Sequence, residues 1–308
     1  VRRLLALSVA AASIAAAVAM SCGAFAPDTR AGVKVPAGGP LPLAVEPDPD
    51  DPPEMDLSAP PVALAPPGGA IVQPGLVRIT KPKFAPNSPR RVGIQVGHWQ
   101  TTDVPTEYGT RIITQTGTSW AGYTEVDVTM EVADRMATLL EAQGIKVDIL
   151  PTTIPAGYLA DVFVSLHCDG DGVGELSGFK MAHGSRRGAY EGKLLAAIKD
   201  TYAKATGMSY DAAHVSRGML GYFAFNWSRY QHAVSPFTPA TIIELGFLSN
   251  DDDRALLVDH PDVIATGIVN GILAFLDAHP RSKVFGDDLL IPQAPIRQGQ
   301  AASPSPTR

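Results

Sequence analysis

Over residues 125–143, Val126, Met130, Ala133, Met136 and Leu140 recur at three- and four-residue steps, which predicts an amphipathic helix stopped by Gly144. A second stripe of Tyr190, Leu194, Ile198 and Tyr202 predicts a helix over 187–205, closed by Gly207. Residues 253–258 and 261–278 read as two closing helices. Between them lie short apolar runs without helical period, at 91–96, 146–150, 161–166 and 240–243, and these read as strands. Segments 179–182 and 220–225 are further strand candidates, and 99–122, rich in Thr, Gly and aromatics, reads as a long loop or hairpin. Strands alternating with helices predict an α/β fold. The expectation is one domain over 90–280, with a mainly parallel twisted sheet flanked by helices on both faces. No internal repeat is visible.

The flanks follow another pattern. Residues 27–89 hold sixteen of the 27 prolines, an acidic run at 46–54, and Phe84 as their one aromatic. Such a stretch cannot bury enough apolar surface to offset its ordering entropy. Residues 23–89 are therefore expected to be a Pro-rich disordered linker, with a strand at its end over 76–80, and 281–308 a disordered tail. Residues 1–22 differ again: Arg2 and Arg3 precede an uncharged, alanine-rich stretch over 4–20. This reads as an export signal, with an uncleaved anchor as the alternative. Cys22 ends it, and Ala19-Met20-Ser21-Cys22 loosely resembles a bacterial lipobox, so a lipid tether at Cys22 stands beside ordinary cleavage near 24–26. The expected location is extracytoplasmic, in the cell envelope or secreted.

The net charge of -6 argues against nucleic acid as a partner, and a monomer is expected. With Cys22 consumed or removed, Cys168 has no partner for an internal disulfide. It follows a histidine, so a thiol nucleophile has to be weighed against a small buried residue, and the second reading is preferred.

Four residues carry the candidate chemistry. His98 follows a strand and Gly97; Glu125 opens a helix; His167 follows the apolar run at 162–166; Glu244 follows the run at 240–243 and so ends a buried strand. Strand ends are where open α/β sheets place their chemistry. Two histidines and a carboxylate make a catalytic zinc set with a fourth position left for water, and a second carboxylate is then available as general base. Each residue also has a bland reading. A strand-end histidine is often structural, Glu125 suits a helix dipole capped by Thr124, and Glu244 suits the cap of the next turn.

The motifs Val96-Gly97-His98, Glu125 at a helix start, Phe163-Val164-Ser165-Leu166-His167 and Ile243-Glu244-Leu245-Gly246-Phe247-Leu248-Ser249-Asn250 together resemble the zinc-dependent N-acetylmuramoyl-L-alanine amidases of the type 3 family, which cut bacterial peptidoglycan. Ser177-Gly178-Phe179 and Ser216-Arg217-Gly218 resemble further family segments, and the resemblance spans about 91–277. It implies that His98, Glu125 and His167 bind Zn2+ and that Glu244 is the catalytic carboxylate. The implied reaction is hydrolysis of the amide between N-acetylmuramic acid and L-alanine. The chain departs from the family at its first motif, usually Asp-Pro-Gly-His-Gly-Gly, where Gln95, Val96, Trp99 and Gln100 stand instead. The segment between 147 and 161 is also short, without the family's Thr-Arg and arginine helix.

Two rival functions remain at this stage: a zinc peptidase acting on the stem peptide, and a non-catalytic peptidoglycan-binding relic of the fold. Trp99, Tyr108, Trp120 and Tyr123 are candidates for stacking on sugar or lining a groove, or for packing. His183, His214 and His232 are candidate proton carriers, with surface histidine preferred, and Asp251 to Asp253 read as a solvated helix start rather than a calcium site.

Overall fold

The computed structural model describes residues 69–73, 76–102, 104–109, 112–184 and 188–292. The expected export signal, the lipid tether at Cys22, most of the linker and the end of the tail lie outside the described residues. The chain begins with β1 (Gly69–Gln73), β2 (Leu76–Ile79) and β3 (Arg91–Val96). A two-residue pair follows, β4 (Ser119–Trp120) and β5 (Tyr123–Thr124), leading into α1 (Glu125–Glu141). Next come β6 (Lys146–Leu150), β7 (Val162–Asp169), β8 (Lys180–Ala182) and α2 (Glu191–Thr206). The short α3 (Arg217–Leu220) precedes β9 (Ala240–Phe247), and α4 (Asp251–Asp259) and α5 (Pro261–Ala278) follow. The described part closes with α6 (Arg281–Val284) and β10 (Leu289–Pro292).

The main sheet has the order β6-β3-β7-β9-β8. Its first four strands are parallel, and β8 runs antiparallel at the edge. β7 and β9 are central and buried along their whole lengths, which is why they read as continuous apolar runs rather than alternating ones. Alternation still sorts the faces. Val92, Ile94, Val96, Val164, Leu166, Ile243 and Leu245 pack with Met136, Leu140, Ile198, Ile268 and Ile272 from α1, α2 and α5. Phe163, Ala240 and Ile242 meet Tyr158, Tyr222, Phe223 and Phe225 on the opposite face. That face is covered by α3, a 3-10 turn over Phe223–Phe225 and loops rather than by long helices.

Local chemistry sets the element ends. Thr124 accepts the Asp127 N–H as the N-cap of α1, and Asn250 accepts the N–H groups of Asp252 and Asp253 at the start of α4. Gly207 adopts the left-handed conformation that closes α2. α5 lies close against α2 because Gly271 has no side chain: a Cβ there falls 2.4 Å from the Ile198 Cα.

Several expectations need correcting. β9 does not end at Glu244 but runs on to Phe247. The carboxylate stays inside the ladder because it sits in register between His167 of β7 and Lys180 of β8, in a polar row. Likewise β7 runs past His167 to Asp169. Residues 220–225 form no strand; the bulk of Tyr222, Phe223 and Phe225 is buried by a tight turn against the sheet. α2 starts at Glu191, and the expected start at 187 lies outside the described residues.

The expected linker and tail also meet. β1, β2 and β10 form a three-stranded antiparallel sheet. The Arg281 guanidinium donates to Asp161 at 2.6 Å and to the Ser88 carbonyl at 2.9 Å, and lies 4.2 Å from the Phe84 ring. Packing therefore extends beyond the 90–280 boundaries, because partners about two hundred residues apart in sequence secure both ends.

Candidate metal centre

The site lies at the C-terminal end of the parallel strands, on the face away from the long helices. Gly97, the residue after β3, then His167, Glu244 and Lys180 lie side by side across β3, β7, β9 and β8. The row explains Gly97. A Cβ there would fall 2.2 Å from the His167 ring, so only glycine leaves the imidazole its place. The chain then turns sharply, and His98 (φ 58°) and Gln100 (φ 57°) both take the left-handed conformation. Strained backbone of this kind concentrates at functional sites.

Glu125 enters from the first turn of α1 and is 1% exposed. Its Oε2 accepts the Thr118 N–H at 2.9 Å, and its Oε1 accepts the Cys168 N–H at 3.1 Å. The same Oε1 lies 2.9 Å from His167 Nδ1 and 3.6 Å from His98 Nε2. One donor atom from each of His98, Glu125 and His167 lies within 4.8 Å of the others. Burial works to raise the Glu125 pKa, but the His98 and His167 imidazoles and the Thr118 N–H outweigh it and hold it below the ordinary carboxylate range. Burial lowers the His167 pKa, against the pull of Glu125, so its neutral form is favoured.

The other ring atoms are tied down. His98 Nδ1 lies 3.1 Å from the Gln115 carbonyl, so it carries the proton and leaves Nε2 a lone pair. That Nε2 is buried without a hydrogen-bond partner among the described residues. His167 Nε2 lies 3.1 Å from the Tyr222 hydroxyl, which donates to Gln95 Oε1 at 3.0 Å. Burial holds the Tyr222 phenol above its usual range, so it keeps its proton. These residues fit a zinc ion: two imidazole nitrogens and a carboxylate oxygen converge, and one nitrogen has no hydrogen-bond partner among the described residues.

Glu244 is 3% exposed and stands beside His167 on the neighbouring strand, where strands are spaced about 4.8 Å apart. It is not one of the three clustered donors. On its other side lies Lys180, which is itself ion-paired with Asp169, both side chains being 5% exposed.

The remaining candidates scatter. Tyr108 is buried in the second core and donates to the His232 carbonyl, so it packs and is not open to a ligand. Trp99 and Trp120 lie half-buried against the main core, and Tyr123 is 42% exposed. His214 pairs with Asp211 and His232 with Glu107, both at 2.7 Å, and His183 bonds the Gly184 carbonyl. Ser216 caps α3 and Arg217 is exposed. Of the three aspartates, Asp253 is not solvated: it is 4% exposed and accepts from Ser177, Gly178 and Phe247. Cys168 is buried, and burial first, then nearby carboxylates, push its thiol up, which removes thiolate chemistry at neutral pH.

Sequence reasoning missed Tyr222, Gln115, Thr118 and Lys180. Tyr222 lies 55 residues from His167, inside a segment read as strand. The loop that delivers Gln115 and Thr118 is long and has no period, and only Gly117, with φ 79° beside Glu125, hints at close packing.

Residues 92–274 match the family model described as N-acetylmuramoyl-L-alanine amidase. Among solved structures, the N-acetylmuramyl-L-alanine amidase Ami1 from Mycobacterium smegmatis is 21% identical, with a TM-score of 0.48, covering 62% of this chain and 98% of its own. Ami1 from Mycobacterium abscessus, in its apo form, is also 21% identical, with a TM-score of 0.47 and coverage of 61% and 98%. The catalytic domain of CwlV, an N-acetylmuramoyl-L-alanine amidase from Bacillus (Paenibacillus) polymyxa var. colistinus, is 21% identical, with a TM-score of 0.41 and coverage of 62% and 99%. No curated protein sequence matches the chain.

Proposed function

The chain belongs to the N-acetylmuramoyl-L-alanine amidase family, and we propose that it is an exported zinc hydrolase that cuts the amide between N-acetylmuramic acid and L-alanine in bacterial peptidoglycan. The observation that carries the metal assignment is the convergence of His98 Nε2, Glu125 Oε1 and His167 Nδ1, the first of these buried without a hydrogen-bond partner among the described residues. The chemistry that bound zinc supplies is Lewis acidity, which lowers the pKa of a water molecule toward about 7 and offsets developing oxyanion charge.

The protein does the rest. Gln115 orients the His98 ring, and the N–H groups of Thr118 and Cys168 hold the Glu125 carboxylate. Glu244 is the general base: it takes the proton of the attacking water and returns it to the amine nitrogen as the C–N bond breaks. The products are the lactyl carboxylate of the sugar and a peptide with a free L-alanine amine. Location in the cell envelope, with a tether at Cys22 as one means of retention, follows from the substrate and from the export pattern at the N-terminus.

The test uses the purified full chain, loaded with one equivalent of zinc and incubated with peptidoglycan fragments, with products identified by mass spectrometry. Release of intact stem peptides bearing free L-alanine amines supports the amidase. Cleavage inside the peptide assigns a peptidase instead. Binding without any product leaves a non-catalytic binder.

A further inference from the structure

We propose that Gln95 and Tyr222 are positioning residues that fix the tautomer of His167 through a one-way relay of hydrogen bonds, so that Nδ1 turns a lone pair into the metal centre. The proposal rests on the zinc reading above and extends it to residues that touch neither metal nor substrate.

The direction follows from counting protons. Gln95 is completely buried, and its side-chain amide faces two backbone carbonyls, Thr152 at 2.8 Å and Pro151 at 3.5 Å. Carbonyls only accept, so the NH2 group must point at them and Oε1 must point the other way. There it meets the Tyr222 hydroxyl at 3.0 Å. Oε1 has no proton to give, so the single phenolic proton is committed to Gln95. The Ser165 hydroxyl donates to the same phenol oxygen at 3.3 Å. Toward His167 Nε2, 3.1 Å away, Tyr222 therefore offers only a lone pair. In the neutral ring Nε2 must then supply the one proton, and Nδ1 is left without it. That bare nitrogen faces Glu125 Oε1 across 2.9 Å, and two lone pairs at that distance call for a cation between them.

The relay also explains why a glutamine suits position 95. An acid there would turn an oxygen toward the Thr152 and Pro151 carbonyls with no donor between them. Tyr222, brought in by the turn after α3, joins Gln95 to His167 through a neutral hydroxyl.

The test compares wild type, Tyr222→Phe, Gln95→Met and the double variant. Zinc affinity is measured by competition with a chelator, and the metal-free proteins are melted alongside. The side-chain Hε2 proton of His167 is followed by 1H–15N correlation in the zinc-loaded proteins. Loss of Tyr222 should weaken zinc about 10- to 100-fold, the range for removing a partner of a metal-bound histidine. It should also make the His167 Hε2 signal exchange faster. Gln95→Met should weaken zinc less, and the double variant should bind no more weakly than Tyr222→Phe, because Gln95 acts through Tyr222. Zinc affinity within twofold of wild type in Tyr222→Phe overturns the relay, as do additive losses in the double variant. Lower melting temperatures with unchanged zinc affinity and Hε2 exchange overturn it too, since they show packing alone. If Tyr222→Phe does not fold, the Hε2 signal in Gln95→Met decides by itself. Failure of wild type to bind one zinc removes the underlying reading and the relay with it, whereas zinc bound equally by all four proteins removes only the relay.

Discussion

Two carboxylates sit at opposite ends of the same parallel strands, both almost fully buried, and their partners differ in kind. Asp161, just before β7, is 2% exposed and accepts from the Arg281 and Arg90 guanidiniums and from the Arg91 N–H. Glu125, at the other end, is 1% exposed and faces two imidazoles and two backbone N–H groups. Guanidinium is a permanent cation, so Asp161 has its charge matched in every state of the protein. Imidazole can give up its proton and present a lone pair, so Glu125 has partners that join it in binding a metal. Burial alone therefore does not separate a structural acid from a functional one; the titrability of its partners does.

The largest effects should come from the imidazole end. His167→Ala should abolish both stoichiometric zinc binding and amide hydrolysis, read by metal analysis and product release. Glu244→Gln should keep one zinc per chain while activity falls about 10²- to 10⁴-fold, the range for losing a general base; full activity in this variant would falsify the assigned role. At the guanidinium end, Asp161→Asn should cost about 3 kcal/mol of stability, measured by denaturant unfolding, since two guanidiniums lose their counter-charge. Zinc affinity should stay unchanged in that variant, and a parallel loss would mean that the two ends are not independent.

The acid limb sharpens the contrast further. Burial alone would raise the Asp161 pKa, but Arg281, Arg90 and the Arg91 N–H outweigh it and lower the value. A lowered folded-state pKa stabilises above the unfolded value, about 3.9, and that stability is lost as pH falls through the folded pKa. Wild type should thus lose stability below about pH 4, and Asp161→Asn should show a shallower slope there. The smallest expected effect is at Gln100, an exposed residue with φ 57°. Gln100→Gly should raise stability by about 1 kcal/mol, because glycine adopts that conformation without strain.

Elements set by a local pattern stand where the sequence places them. The stripe of α1, the closing helix α5 and the runs of β3 and β6 depend on neighbours within one turn or one strand, and their positions match the structure closely. Glu125 was visible because it opens a helical stripe, and His98 and His167 because each follows an apolar strand run. Glu244 was visible for the same reason as the histidines, yet its place inside β9 was not, since that depends on His167 and Lys180 flanking it. The packed ends at Ser88 and Arg281 were hidden for a related reason: a proline-rich composition says nothing about a partner two hundred residues away.

The chain's own sequence thus determined the helical and strand periods, the parallel α/β class and the set of groups able to bind a metal, because these follow from residue type and short-range spacing. Tertiary structure alone decided that Tyr222 bridges Gln95 and His167, that Asp161 rather than Glu125 is met by guanidiniums, and that Gly97 clears space for an imidazole. Those outcomes depend on distances between residues far apart in the chain, which no local pattern encodes.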